Sequence, residues 1–352
     1  MARANSLLAL ALLLASCSST AQPPPSAAQP ASAPAASKPS SGASASTGAA
    51  AGTIRLTYPA AGAGIAPLWI ATEQGLFKKY GVDVDVQYIQ GPADIQALVG
   101  GDTQVSDDAG EAVTARLAGA DVLYVAVHLP QLVFSLYGPK DISSAKDLIG
   151  KTVAASTRGA ASDIAMRTYL RHEGIDASQV KFTYVSTQGV LPAMQQGTVQ
   201  AGMLSPPLTL QARQLGLHEI ANITNMKLPS INDAVEVRRD WANQNKTTLL
   251  NVLKAYLEAI KIANSNEDAA KAAIAKYTKT SDAAALQEAY DSVKGRWAAY
   301  PVVHDDVIQN LLDFAVEPNA ASHKPSEFYD NSYLESLQDF VKSLYPEGVP
   351  SA

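Results

Sequence analysis

Three carboxylic acids, Asp107, Asp108 and Glu111, crowd into one short stretch, and a lone guanidinium, Arg158, stands among hydroxyls in another. The acids follow a strand-like run over 104–106 and precede a helix-like run over 111–117. One of them could cap that helix, since an Asp side chain accepts a hydrogen bond from the free N–H groups of a first turn. A carboxylate that faced a cleft instead would select a ligand bearing an ammonium, amidine or hydroxyl donor and would repel a bare anion. The second stretch is Ser156-Thr157-Arg158-Gly159-Ala160-Ala161-Ser162. Hydroxyls, a helix start and a guanidinium together make an anion pocket; the alternative is Ser162 as a cap with Arg158 in solvent.

Three more loops sit where a strand-like run hands over to a helix. In 59–65, Gly62 and Gly64 would let backbone approach a ligand closely. Thr187-Gln188-Gly189 and Ser205-Pro206-Pro207 occupy equivalent places, with a proline suited to a helix start. Tyr58 and Trp69 could supply an aromatic wall, although an aromatic at helical spacing also belongs in a core. The candidate ligand contacts are therefore Tyr58, Gly62, Asp107, Asp108, Thr157, Arg158, Gly159, Ser162, Gln188, Ser205 and Pro206.

Other chemistries find no foothold. Gly62-Ala63-Gly64 imitates the start of a dinucleotide fingerprint, but Pro67 stands where its third glycine belongs. Ser143 and Lys146 fit Ser-x-x-Lys without the companion motifs of that enzyme class, and Ser143 or Ser144 reads better as a cap ahead of Asp147. The histidines His128, His172, His218, His304 and His323 are scattered and show no HExxH. No catalytic residue, cofactor or metal site is expected. A net charge of -6 gives no basic footprint, so nucleic acid is not an expected partner.

The elements that must position these residues follow from hydrophobic periodicity. Strands are expected over 54–58, 82–88, 104–106 and 122–127, alternating with helices over 66–80, 93–99 and 111–117. A second block repeats the grammar with strands over 151–155, 180–185 and 201–204 and helices over 162–172 and 190–196. Such βαβ alternation makes an α/β protein of two lobes, each a mostly parallel sheet flanked by helices. The chain would pass out to the second lobe at 134–137 and return near 234–237. Beyond Asp240, Leu249, Leu253, Tyr256, Leu257 and Ile260, and later Val307, Leu311, Leu312 and Phe314, recur at helical spacing.

The single cysteine, Cys17, ends a basic, then apolar, then small-residue leader built like a secretory signal. Its use for a disulfide or a CxxC pair is excluded by its solitude. Leu14-Ala15-Ser16-Cys17 resembles the lipobox of bacterial lipoproteins, which implies cleavage before Cys17 and a lipid on its sulfur. Residues 18–52 are almost wholly Ala, Ser, Pro, Gln, Thr and Gly, a linker that would hold the folded part roughly 30 to 35 Å from its anchor. With 47% hydrophobic residues, the remainder can build a full core. The expected division is a leader over 1–16, a linker over 17–52, a first lobe over 53–137, a second over 138–234, and a return with C-terminal helices over 235–352.

Three stretches carry a resemblance: APLWIATEQGLFKKYGVDV at 66–84, DISSAKDLIGKTVA at 141–154 and QGTVQAG at 196–202. They resemble the SsuA/TauA/NMT1/THI5-like periplasmic binding proteins, with Gln200 where that family prefers Asp. The resemblance implies a periplasmic binding protein type II fold and a monomeric, extracytoplasmic, membrane-anchored receptor. Such a receptor delivers a small polar molecule of the sulfonate, nitrate, taurine or thiamine-precursor class to an ABC permease. The alternative is a ligand-sensing lipoprotein that serves a membrane sensor without transport. Relatives that make the thiamine pyrimidine depend on a cysteine-rich motif, which one cysteine cannot supply. Arg158 argues for an acidic group on the ligand and Asp107 with Asp108 for a basic or hydroxylated one. A zwitterion, an aminopyrimidine-like ring and a polar aromatic acid stay open.

Overall fold

Alternating apolar residues organise the first strand, β1 (Ile54–Tyr58), whose Ile54, Leu56 and Tyr58 are buried. A computed structural model describes residues 52–315 and 317–351, so Cys17, the leader and nearly all of the linker lie outside the described residues. The strands that follow are β2 (Val84–Tyr88), β3 (Val105–Asp108), β4 (Val122–Gln131), β5 (Ser135–Gly138), β6 (Thr152–Ala155), β7 (Lys181–Tyr184), β8 (Ala201–Leu204), β9 (His218–Asn222) and β10 (Pro229–Arg238).

They form two five-stranded sheets of matching design, ordered β2-β1-β3-β10-β4 and β7-β6-β8-β5-β9. In each sheet four strands run parallel and one, β10 or β5, runs against its two neighbours. Those two odd strands adjoin the crossings between the sheets. The outward crossing spans 132–134, immediately before β5, and the return spans 223–228. The return expected at 234–237 instead lies inside β10, where Ala234–Val237 pairs with β3. The two crossings are tied together: the N–H groups of Ile223 and Thr224 donate to the Phe134 carbonyl at 2.9 and 3.2 Å, and Val133 N–H donates to Asn232 Oδ1 at 2.9 Å.

The helix expected over 66–80 is two, Ala66–Glu73 and Leu76–Lys79, because Gly75 takes φ 65° between them. Ser144 and Asp147 form the anticipated cap, a reciprocal box. Gln200, the departure from the family pattern, joins neighbouring backbone segments, since its Oε1 accepts the Thr152 N–H and its Nε2 donates to the Gly197 carbonyl.

Strand β4 is buried along Val122–Leu129 although it ends the first sheet. The C-terminal segment covers its free edge, where Val127 N–H donates to the Pro301 carbonyl at 2.8 Å and Tyr124 bridges Tyr329. The long helix Lys246–Ser265 buries Leu249, Leu253, Tyr256, Leu257 and Ile260, the predicted stripe, in the core under the first sheet. None of the described helices is long and apolar enough to cross a membrane.

Candidate functional site

A cavity of about 600 Å³ opens between the sheets, at the carboxyl ends of their parallel strands. Residues just after β1, β2 and β3 form one wall, with Asn232 and Asp233 of β10; residues after β6, β7 and β8 form the other. Most side chains there are carried by a strand end, the loop after it or the first turn of a helix, where unpaired backbone groups also point.

Of the predicted contacts, Gly62, Asp107, Asp108, Thr157, Arg158, Ser162, Ser205 and Pro206 border the cavity. Tyr58 does not: its ring packs edge-on to Trp69, which in turn stacks on Tyr277 at 4.9 Å, so both expected wall aromatics are core. Gln188 is exposed, and its neighbour Thr187 lines the cavity instead. Gly159 lies behind the wall, with its N–H on Asp163 Oδ2 at 3.0 Å. Gly64 has a reason other than ligand approach. A side chain on it would strike the Asp233 carboxyl, and its carbonyl takes the Trp297 indole N–H at 2.8 Å.

Neither Asp107 nor Asp108 caps a helix, because both belong to β3 and Gly110 occupies the cap position. Asp107 is fully buried and spends both oxygens on protein. Oδ1 meets His128 Nε2 at 2.8 Å and Oδ2 accepts the Tyr256 hydroxyl at 2.9 Å. Burial pulls the His128 pKa down, but the Asp107 charge and hydrogen bond push it further up, so the net direction is a raised value. Asp107 thus braces β3 to β4 and to the long helix, leaving Asp108 to face the cavity.

Ser162 lies inside the helix Ala161–His172 and accepts the Ser156 N–H at 2.9 Å, so that helix begins without a side-chain cap. Its open first turn borders the cavity beside Arg158, whose guanidinium stands 5.8 Å from the Tyr184 ring centroid. Among the described residues, Arg158 is the one Lys or Arg on the lining.

Sequence reasoning missed Tyr88, the last residue of β2, and Gln90 just after it, although the strand-end rule points there. It also missed Asn232 and Asp233, two polar residues that interrupt an apolar strand. Asp233 has its pKa raised to about 7 by burial, with Asp107 adding to the effect and His128 opposing it. Glu111 is raised to about 7 and Asp94 to about 6, burial again leading, while Asp108 and Glu236 are pushed well above the carboxylate range by burial and by the charges of neighbouring carboxyls such as Glu111 and Asp94.

These shifts have a sign in stability. A carboxyl with a raised pKa keeps its proton in the folded protein at a pH where the unfolded chain has lost it, so stability falls as pH rises. His128 acts in the same direction. The thermal midpoint of the ligand-free protein is expected to decline steadily from about pH 5 to about pH 8. A midpoint that climbs over that interval in differential scanning calorimetry would contradict the assignment of these protons.

The walls also approach each other beside the cavity. A methyl group on Gly110 would run into the carbonyl oxygen of Gly159 on the other side, and one on Gly91 would stand 3.5 Å from Thr157 Oγ1. Farther out, Arg213 and the Thr209 hydroxyl from the second-sheet side both bond Glu288 in the helix Ala283–Val293.

This arrangement has counterparts. Residues 63–270 match the family described as NMT1/THI5 like, more than half of the chain. The chain belongs to that family. An ABC transporter periplasmic binding protein of Brachyspira hyodysenteriae is 26% identical over 174 residues, 49% of each chain. An aliphatic sulfonates-binding protein of Escherichia coli is 26% identical over 54% of this chain and 60% of its own length. The NMT1/THI5-like chain thus spans only about half to three fifths of the curated relatives it matches. The crystal structure of the periplasmic aliphatic sulphonate binding protein SsuA from Escherichia coli superposes with a TM-score of 0.60 at 21% identity, covering 74% of this chain and 89% of that one. The crystal structure of the desulfurization enzyme DSZB shares the fold at 14% identity, with a TM-score of 0.58 over 82% of this chain and 99% of that one. The architecture by itself therefore serves both binding and catalysis.

Proposed function

We propose that this NMT1/THI5-like protein is the extracytoplasmic solute-binding component of an ABC importer and carries a small polar organic molecule. One observation carries the reading: the cavity is built from the strand ends of both sheets, so a ligand touching both walls favours the closed form over the open one. The names of the curated relatives support it, as does a cavity volume within the range that small ligands occupy. Bending at 132–134 and 223–228 would part the walls, and a permease would read which form is present.

A ligand that binds only the native state must raise the thermal midpoint, by an amount that grows with its concentration. Screening the purified protein against a broad panel of sulfonates, carboxylates, amino acids and pyrimidines is expected to give at least one such shift. A panel without any shift would sink the receptor reading.

Attachment through lipid on Cys17 belongs to the same proposal and is supported by the Leu-Ala-Ser-Cys pattern that ends the leader. Cys17→Ser is expected to move the protein from the membrane pellet to the soluble fraction of cells that produce it. Retention of the variant in the pellet would remove the anchor.

A further inference from the structure

The charged groups around the cavity are sorted by side. Asp108, Glu111 and Asp233 stand on the first-sheet wall, and Arg158 stands on the second-sheet wall among Ser156, Thr157 and Ser205. The three carboxyls are 5%, 6% and 7% exposed, so each is desolvated. The protein meets only part of their need for donors. Asp108 Oδ1 accepts the Ala109 N–H at 2.7 Å, Asp233 Oδ2 accepts from Asn232 Nδ2 at 2.8 Å, and Glu111 Oε2 is buried with no partner.

His128 partly offsets Asp233, and Asp108 and Glu111 share a hydrogen bond with each other, but no Lys or Arg stands on this wall among the described residues. The neighbouring helix Pro92–Gly100 contributes Asp94, β3 contributes Asp107 and β10 contributes Glu236, all fully buried. Tyr124 and His128 of β4 and Tyr256 of the long helix also face this region, and His128 is engaged by Asp107. A carboxyl without a partner in such surroundings is costly to ionise, and what it lacks is a cationic donor. A charged nitrogen that spreads several N–H donors over separate acceptors would meet all three carboxyls at once.

We propose, building on the solute-receptor reading, that the cavity takes a zwitterion whose cationic nitrogen lies against Asp108, Glu111 and Asp233 and whose acidic group lies against Arg158 and its hydroxyl neighbours. An anion without the nitrogen leaves the first wall's acceptors unmet and brings a second negative charge towards it. Arrival of the nitrogen favours the ionised carboxylates, so protons leave as the ligand enters and affinity rises with pH. Glu111 and Asp233, held near pH 7 while the site is empty, set the interval over which this happens.

Matched probes decide it. Taurine against ethanesulfonate, and para-aminomethylbenzoate against para-methylbenzoate, differ in a single ammonium. In calorimetric titrations of the mature protein, the amino member of at least one pair is expected to bind about tenfold or more tightly, as charge-assisted hydrogen bonds allow. Its affinity is expected to strengthen from about pH 6 to about pH 8, with proton release visible as a dependence of the heat on buffer ionisation. Glu111→Gln is expected to lose most of that preference while still binding; Asp233→Asn gives the same readout should the first variant fail to fold. Equal affinity within every pair overturns the zwitterion assignment and leaves the receptor reading standing. Absence of binding by every probe also overturns the assignment, and the broad thermal panel then decides the receptor reading separately.

Discussion

Gly110→Ala is expected to weaken ligand binding by roughly tenfold to a hundredfold while leaving the fold intact. Gly110 has φ -97° and ψ -6°, a conformation open to any residue, so alanine brings no backbone strain. The obstacle lies on the opposite wall beside the cavity, where the new methyl group would meet the Gly159 carbonyl oxygen; it would also come within 3.2 Å of Leu311 Cδ2. A backbone oxygen cannot swing away as a side chain would, so the walls must part. Overpacking of this kind costs about 1–3 kcal/mol, and here the cost falls on the closed form alone. Each 1.4 kcal/mol is a factor of about ten in affinity. Calorimetric titration with a ligand found by thermal screening measures it, and wild-type affinity in the variant would show that closure does not need this contact.

The second large effect is on stability. Asp107→Ala is expected to destabilise the protein by about 3–5 kcal/mol, the usual result of removing one partner from a buried ionic pair. Asp107 and His128 are both wholly inaccessible, and the loss also strands the Tyr256 hydroxyl. Replacing Asp107 and His128 together by leucine is expected to recover much of the loss, because no unpaired polar group then remains on the imidazole side. Denaturant unfolding measures both. A single variant within about 1 kcal/mol of the parent would mean that the triad is not the brace its geometry indicates.

The parallel strands were legible because each carries an apolar run bounded by turn residues, and their ends delivered most of the cavity. Strand β9, His218-Glu219-Ile220-Ala221-Asn222, was not, because an edge strand with polar residues lacks the contrast that marks a buried one. The helix break at Gly75 was hidden by apolar residues that continue on both sides of it. Asp233 escaped for a related reason: strand-end reasoning inspects loops, whereas this carboxyl sits within a long strand that brings it beside Gly64. The roles of Asp107 and Asp108 depend on which face of β3 each presents to His128, Tyr256 or the cavity, and that is a tertiary fact.

The paired crossings have a kinematic consequence. Val133 and Phe134 of the outward crossing line the cavity, as does Asn232 of β10, which bonds Val133, so an occupant rests against the pivot itself. Two short connections hydrogen-bonded to each other bend together more readily than they slide past one another. Displacement in such a hinge grows with distance from its axis. In the proposed motion Asp233, one residue from Asn232, would shift little relative to a ligand, while Arg158 on the other wall would travel farther. Under the proposed closure a ligand would settle against the wall of Asp233 before that of Arg158 reaches it, and a small rotation at the ligand would become a larger change of shape away from the pivot.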